Sequence, residues 1–293
     1  MQAFFIKLLL RFFSLLPLPL NHLLGSWIGL SLYYLKSRPY QVSKVNIERC
    51  LPKKSPAEKQ QLLKQSLIEM GKTLSEMGPL WLWDPERTLN LLVKISGQDT
   101  LEKAKAADKG VILLTPHLGC WEIAGLYLGN TLPVTILYSK PKQKALDEII
   151  QNARKRSGAE LVNADLGGVK AIFRTLGQGH ATGLLPDQNP DDPNSGVFAP
   201  FFGIPAFTMI FISKLASKTG AVILIGYAER LQKGRGYHLH IREANPQIAS
   251  KDALLSATAM NKTIEKYIRE KPEQYQWSYK RFKKRPRGME KFY

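Results

Sequence analysis

The sequence predicts an α/β fold in which a mixed β-sheet is flanked by helices. From Leu91 onward, short apolar segments of strand length alternate with longer segments of helical pattern, an order typical of this class. The run Val-Ile-Leu-Leu at Val111–Leu114 predicts a buried strand of that sheet. The chain has 293 residues, 44% of them hydrophobic, so it can bury a sizeable core.

The first 35 residues are mostly apolar and are predicted to associate with a membrane. A secretory signal would place its positive charges before the apolar run, whereas Lys7 and Arg11 fall inside it. Neither half of the segment supplies the roughly 20 apolar residues that a span requires. We therefore expect residues 1–35 to form an interfacial anchor or one imperfect membrane helix, and residues 36–293 to form the catalytic domain. The alternative is a helix buried against that domain.

The remaining elements are predicted from capping residues and periodicity. The pattern Ser55-Pro56-Ala57-Glu58 predicts the start of a helix that runs to about Trp83. Strands are then predicted at Leu91–Ser96, Val111–Thr115, Val134–Tyr138, Leu161–Val162, Thr182–Leu185, Ala221–Tyr227 and Tyr237–Glu243. Helices are predicted at Thr100–Ala107, Trp121–Leu128, Lys142–Ser157, Gly167–Leu176, Phe207–Lys218 and Ser250–Glu270. The long, aromatic stretch Asp187–Ala206 is expected to cover a groove.

His117 is the strongest candidate for a catalytic residue. It follows a buried strand that Thr115-Pro116 ends, and Glu122 comes five residues later at the start of the next helix. In open α/β sheets, ligands bind at the carboxyl ends of the strands. An imidazole held by a carboxylate can take a proton from a hydroxyl near neutral pH. The sequence therefore predicts His117 as a general base with Glu122 as its partner.

Other sites have less support in the sequence. A second His-x4-Glu pattern, from His238 to Glu243, lies in an alternating strand, so the spacing alone is a weak signal. Cys120 is a rival nucleophile, although a cysteine just before a helix is more often a packing residue. The sequence contains no G-x-S-x-G elbow, no H-E-x-x-H motif and no C-x-x-C pair. We predict neither a metal nor a cofactor.

The formal net charge of +18 favours an acidic partner, such as nucleic acid, an anionic membrane or a phosphorylated substrate. Seven basic residues lie between Lys280 and Lys291, and we expect them to bind anionic headgroups at about 1 kcal/mol each. Nucleic-acid binding would need aromatic residues interleaved with a basic sheet face. The predicted strands are apolar, so we expect no nucleic-acid partner and keep that function as the weaker alternative.

Further segments accompany His117–Glu122 in a pattern that identifies a family. They are Tyr138-Ser139-Lys140-Pro141, Arg154, Arg156-Ser157-Gly158, Leu185-Pro186-Asp187-Gln188, Val197–Gly203, Pro272–Trp277 and Lys280-Arg281-Phe282. Together they resemble the bacterial lipid A late acyltransferases, which belong to the wider glycerolipid-type (lysophospholipid) acyltransferases. The resemblance covers most of the chain, although the family more usually has Arg where Lys140 stands. It implies a glycerol-3-phosphate acyltransferase-like fold at the cytoplasmic face of the bacterial inner membrane.

The resemblance implies transfer of a C12–C14 acyl chain from acyl carrier protein to a hydroxyl of a lipid A precursor. On this view, His117 is the base and Glu122 orients its ring, while Asp187 has a structural or substrate-orienting role. The residues expected to bind the substrates are Tyr138, Lys140, Arg154, Arg156, Asp187, Gln188, Phe201 and Phe202. The basic side chains would contact phosphates and the phenylalanines the acyl chain. A glycerolipid, ornithine lipid or mannosylated phosphoinositide acceptor, and a catalytically idle membrane scaffold, remain as alternatives.

Overall fold

The computed structural model describes residues 2–138, 144–156 and 158–293. The helices are α1 (Gln2–Leu15), α2 (Leu18–Tyr34), α3 (Arg38–Cys50), α4 (Pro56–Leu82), α5 (Pro85–Leu89), α6 (Gln98–Ala106), α7 (Trp121–Thr131), α8 (Lys144–Arg156), α9 (Leu166–Gly177), α10 (Phe211–Thr219) and α11 (Ala253–Glu270). The strands are β1 (Leu92–Ser96), β2 (Val111–Leu114), β3 (Thr135–Tyr138), β4 (Glu160–Asn163), β5 (Ala181–Leu184), β6 (Gly196–Phe201), β7 (Ile204–Met209), β8 (Val222–Arg230) and β9 (Tyr237–Glu243).

A five-stranded mixed sheet forms the centre of the molecule, which confirms the predicted fold class. Its order is β1-β9-β8-β2-β5, and only the β8–β9 pair is antiparallel. All four residues of β2 are buried, as expected for a strand covered on both faces. The parallel pairing of β2 with β5 brings the carboxyl ends of these two strands to the same edge.

The strand β3 belongs to a second, two-stranded sheet with β4. It touches the main sheet just before it begins, where Val134 and Ala181 form a parallel bridge. The Thr182 hydroxyl then donates to the Thr135 carbonyl at 2.8 Å. Among the described residues, no backbone bridge joins β3 and β5 beyond this point. The two strands therefore enclose a gap toward their carboxyl ends.

The stretch expected to be an irregular cover instead contains the hairpin β6–β7. Phe202 and Gly203 form its turn with φ values of +52° and +78°, the combination of a two-residue hairpin turn. The helix predicted from Phe207 begins only at Phe211, because Phe207 lies in β7 opposite Phe198. Prolines and glycines interrupt the alternation of apolar and polar residues that would otherwise predict the two strands of this hairpin from the sequence.

The N-terminal helices pack on α4 rather than standing apart from the domain. A Cβ atom on Gly71 would lie 2.0 Å from the Gly25 carbonyl oxygen, so the backbones of α2 and α4 are in direct contact. Within the described ranges, no helix is both long enough and apolar enough to cross a membrane, so a spanning helix has no support. The opposite face of α1 and α2 carries the exposed side chains Phe4, Phe5, Leu8, Leu9, Phe12, Leu15, Leu20, Leu23, Trp27 and Tyr34.

Part of the basic C-terminal segment is built into the fold. The Arg281 side chain is buried and donates to the Phe207 carbonyl at 2.6 Å and to the Thr208 hydroxyl at 2.8 Å. Lys284 donates to the carbonyls of Pro190 and Asp191, each at 2.6 Å. The expectation that the whole segment is free to bind headgroups is therefore wrong for these two residues.

Candidate active site

His117 and Asp187 meet because two parallel strands end in the same way. Leu114 of β2 pairs with Leu184 of β5, and each strand continues through one residue and a proline to a polar residue. The Thr115 N–H extends the pairing by donating to the Leu184 carbonyl at 2.9 Å. Three residues past the paired leucines, His117 therefore lies beside Asp187.

The His117 imidazole is held on both nitrogens. Its Nδ1 lies 2.8 Å from Asp187 Oδ1, and its backbone N–H donates to Asp187 Oδ2 at 2.9 Å. Its Nε2 lies 3.1 Å from the amide nitrogen of Gln188, which is a donor. These contacts assign the proton of the neutral ring to Nδ1 and leave the Nε2 lone pair as the basic site.

Asp187 is fully buried, yet its carboxyl stays ionised. Burial alone would raise its pKa, but the charge of His117 and the hydrogen bonds from its ring and backbone outweigh burial and hold the pKa below its usual range. A buried carboxylate bonded to Nδ1 fixes the tautomer and orientation of the ring and stabilises the imidazolium. Asp187 can therefore perform the role that the sequence assigned to Glu122.

The turn that carries His117 is fixed by close backbone contacts. Gly119 has φ +62°, and a Cβ atom there would lie 2.1 Å from the Ala228 carbonyl oxygen, so no other residue fits. The Cys120 N–H donates to that same carbonyl at 2.8 Å. On its other side, the His117 carbonyl accepts from the Gln276 N–H at 3.0 Å. The C-terminal segment Pro272–Trp277 thus holds the candidate base in place.

Glu122 is not the partner of the imidazole, which corrects the prediction that it orients the ring. It lies in the first turn of α7, and its carboxylate faces the Trp81 Nε1–H at 3.4 Å and Arg154 Nη2 at 3.3 Å. Gly119, with its left-handed φ, precedes the helix by two residues. Trp121 packs beside the imidazole, with ring centroids 4.9 Å apart, and Glu122 is directed to α4 and α8.

The predicted basic residues have different surroundings. Arg154 is partly exposed, pairs with Glu122 and lies 5.6 Å from the centroid of the Tyr138 ring. The Tyr138 hydroxyl donates to Asp147 at 2.6 Å, and burial together with this carboxylate raises the pKa of Tyr138. Arg156 instead donates to the carbonyls of Trp81 and Leu82 at the end of α4. Lys140 lies outside the described residues.

The two phenylalanines expected to line an acyl channel are placed elsewhere. Phe201 is buried in the core, with its ring 6.4 Å from Tyr275 and 6.3 Å from Phe282. Phe202 forms the hairpin turn and packs under the Arg269 guanidinium at 4.7 Å. Neither lines the cavity beside the candidate base, so their assignment as channel walls is corrected.

A cavity of ≈ 620 Å³ is lined by Thr115, Leu185 and Asn189, each two residues from His117 or Asp187, while His117 and Asp187 themselves are not among its lining residues. Its polar lining includes Thr115, Asn189 and the Glu122–Arg154 pair, and Trp121 connects it to the imidazole. The apolar lining comes from Leu80, Trp81, Leu126, Ile136, Leu137, Ala153, Leu184, Leu185, Met209 and Phe211. The lining also includes Asp191 and Asp192. A cavity that combines charged groups with many apolar side chains suits a lipid substrate.

The surroundings of Cys120 do not favour nucleophilic catalysis, and those of a second cluster, on the sheet surface, do not require a metal ion. Cys120 is buried, and desolvation followed by the negative charge of Glu76 raises its pKa, so the thiol stays protonated and is a poor nucleophile. On the sheet surface, Glu229, His238 and His240 bring potential metal-ligand atoms within 4.8 Å of one another. The Glu229 carboxylate there is already bonded to Lys271 at 2.6 Å, so the group is satisfied without an ion.

Comparison with known proteins supplies the family context. The sequence profile of the family described as bacterial lipid A biosynthesis acyltransferase matches residues 1–284. The chain is 28% identical over 281 residues to the lipid A biosynthesis palmitoleoyltransferase of Escherichia coli K12, covering 95% of this chain and 90% of that protein. It is 29% identical over 276 residues to the lauroyltransferase (94% and 89%) and 23% identical over 245 residues to the myristoyltransferase (83% and 75%) of the same strain.

Proposed function

Since the chain belongs to the bacterial lipid A biosynthesis acyltransferases, which act on lipid A precursors, we propose that it transfers a C12–C14 acyl chain from acyl carrier protein to a hydroxyl of the precursor. The observation that carries the mechanism is the His117–Asp187 pair. It leaves a basic nitrogen on a ring that packs against Trp121, and Trp121 lines a cavity that contains an ion pair and many apolar side chains. The relatives named for lauroyl and myristoyl transfer lie within this range of chain length, and the palmitoleoyltransferase transfers a chain two carbons longer.

In the proposed reaction, the acceptor hydroxyl replaces the Gln188 amide at His117 Nε2. The hydroxyl oxygen attacks the thioester carbonyl while Nε2 takes its proton, and Asp187 stabilises the resulting imidazolium. The tetrahedral intermediate then expels the carrier-protein thiolate, which takes the proton from the imidazolium. The new ester and the free thiol account for all atoms, and the base returns to its neutral form.

Arg154 is the proposed contact for the negative charge of the substrates. Its guanidinium lines the cavity, and Glu122 holds it in a defined orientation. A guanidinium in this position can bind an acceptor phosphate through two parallel hydrogen bonds or stabilise the developing oxyanion. Arg156, which caps α4, is the less suitable candidate. The role predicted for Lys140 stays a prediction.

We also propose that the enzyme works at the cytoplasmic face of the inner membrane. The exposed apolar face of α1 and α2 can insert into the headgroup region, and Lys7 and Arg11 lie on the same helix. This interfacial mode needs no spanning helix. It would bring the cavity to a substrate that never leaves the bilayer.

Mass spectrometry of lipid A tests the proposal directly. Cells that lack the gene should lose a secondary acyl chain, and the wild-type gene should restore it. A His117→Ala gene, expressed at an equal level, should not. Lipid A that is unchanged by deletion would overturn the proposed acceptor, and full rescue by His117→Ala would overturn the proposed base.

A further inference from the structure

The cavity occupies the gap where the β3–β4 sheet separates from the five-stranded sheet. Ile136 and Leu137 of β3 line one side, and Gly183 and Leu184 of β5 line the other. Among the described residues, the backbone link between the strands is the Val134–Ala181 bridge at the base of the gap. The helix α7 contributes Gly125 and Leu126 to the same cavity.

The base of the gap is closed by buried hydrogen bonds. The Thr182 hydroxyl donates to the Thr135 carbonyl at 2.8 Å, and the Thr135 hydroxyl is bonded to the Thr175 hydroxyl at 2.7 Å. All three threonines are buried. An apolar chain that advanced beyond this point would leave those polar groups unpaired, so the gap has a fixed depth.

Two glycines leave the gap open. A Cβ atom built on Gly125 or Gly183 meets no atom within 4 Å, so it would project into free space. Neither glycine has a positive φ, so the backbone at both positions accepts other residues without strain. Glycine also weakens a helix interior and a strand, and Gly125 and Gly183 lie within α7 and β5. Packing and backbone conformation therefore do not require glycine at either position.

We propose that the gap between β3 and β5 receives the fatty acyl chain, and that the missing side chains of Gly125 and Gly183 set the longest chain that the enzyme accepts. This inference rests on the proposed acyl transfer. It assigns the limit on chain length to Gly125 and Gly183 instead of to Phe201 and Phe202, which lie outside the cavity. The two glycines contribute free space at this point rather than side-chain contacts.

Gly183→Ala, Gly183→Val and Gly125→Ala test the proposal with a series of acyl carrier protein donors from octanoyl to palmitoyl. A methyl group that fills needed space typically costs about 10- to 200-fold in kcat/KM. We expect that loss for the donor that the wild-type enzyme prefers, and less than about threefold for donors shorter by two to four carbons. Gly183→Val should shift the preference further than Gly183→Ala.

Gly177→Ala is the matched control. Gly177 ends α9, has free space around its Cβ position and does not line the cavity. Its variant should keep the wild-type donor profile, and every variant should keep the wild-type melting temperature or exceed it. If the folded Gly125 and Gly183 variants kept the wild-type preference among donors, the proposal that these glycines set the longest accepted chain would be wrong. No transfer by the wild-type enzyme to any lipid A precursor would instead overturn the proposed function.

Fatty-acid binding gives a readout that needs no catalysis. Trp81 and Trp121 line the cavity, so their fluorescence should change when laurate, myristate or palmitate enters. Gly183→Val should weaken binding of the longest acid by about tenfold or more and leave the shortest unchanged. Equal affinity of Gly183→Val and wild type for all three acids would contradict the proposal even if the variant were inactive.

Discussion

At the scale of residues, the candidate active site depends on which carboxylate contacts His117 Nδ1. Asp187 makes that contact through a buried bond of 2.8 Å, while Glu122 faces Arg154. The two acids therefore have separable roles. Asp187 fixes the proton on Nδ1 and stabilises the imidazolium, and Glu122 positions a guanidinium in the cavity.

Asp187→Asn should lower kcat by about 10²–10⁴-fold with little change in KM, because an amide neither fixes the tautomer reliably nor stabilises the imidazolium. Steady-state kinetics with purified enzyme measure this. Glu122→Gln is the comparison: it should act mainly on KM for the lipid acceptor, through Arg154. If Glu122→Gln lost more kcat than Asp187→Asn, Glu122 would be the functional partner of His117.

At the scale of elements, a buried charge network joins α2, α4 and β8. Arg230 donates from Nε and Nη2 to Glu76 at 2.6 and 2.7 Å and from Nη1 to Glu69 at 2.8 Å. His22 of α2 lies 2.5 Å from the same Glu76 carboxylate. Arg230 lies on β8, two residues after Ala228. The Ala228 carbonyl accepts from the Cys120 N–H in the turn that follows His117. The network therefore couples the N-terminal helices to the active-site scaffold.

Glu76→Gln should reduce the free energy of unfolding by about 3–5 kcal/mol, because it removes the fully buried one of the two carboxylates that pair with the buried Arg230 charge. Urea denaturation at neutral pH measures this. Lys103→Ala is the control: its ion pair with Asp99 is exposed, so the change should stay within about 1 kcal/mol. A loss below about 1 kcal/mol for Glu76→Gln would mean that the network does not stabilise the fold.

The same network predicts the acid sensitivity of the fold. Burial would raise the pKa of Glu76, but Arg230 and His22 outweigh it and hold the pKa well below its usual range. A carboxylate with a lowered pKa stabilises the fold fully above its unfolded pKa, about 4.3, and loses that contribution as the pH falls toward its folded pKa. Wild-type stability should therefore fall below about pH 4.3 more steeply than that of Glu76→Gln.

At the scale of the whole molecule, α1 and α2 have two different faces. One face packs on α4 through Gly25 and Gly29, and the other presents large apolar side chains to the solvent. A contiguous group of exposed large apolar side chains is typical of a site that binds a membrane or another protein. The helix α4 connects this apolar face to the cavity, because it packs against α1 and α2 and also contributes Leu80 and Trp81 to the cavity.

Replacing Phe4, Phe5 and Leu8 together by Ser should weaken binding to vesicles of phosphatidylethanolamine and phosphatidylglycerol by about tenfold or more. Each removed side chain loses apolar area that would be buried in the bilayer. Co-sedimentation measures the change. The control replaces Val93 and Leu166 by Ser in the same way. Both side chains are exposed but lie outside α1 and α2, so this variant should bind the vesicles like wild type. Equal binding of the triple variant would argue against an interfacial N-terminus.

The sequence by itself determined the fold class, most element positions and the candidate base. Periodicity and capping are local properties, so α4 and β9 were predicted nearly to the residue. His117 was found because a buried strand that ends at a proline places the next polar residue at the edge of the sheet. The family resemblance was equally local, since it rests on short motifs spread along the chain.

Only the tertiary structure decided which residues act together. Asp187 and His117 are 70 residues apart, and the parallel register of β2 and β5 brings them together. In both places a strand is followed by one residue, a proline and a polar residue, which is His117 after β2 and Asp187 after β5. This repeated pattern predicts that the two side chains are close only if β2 and β5 are neighbouring strands. Glu122 is close to His117 in sequence, but its carboxylate faces the Trp81 indole and Arg154 instead of the ring. Contacts between distant segments depend on strand order and register, which local patterns do not specify.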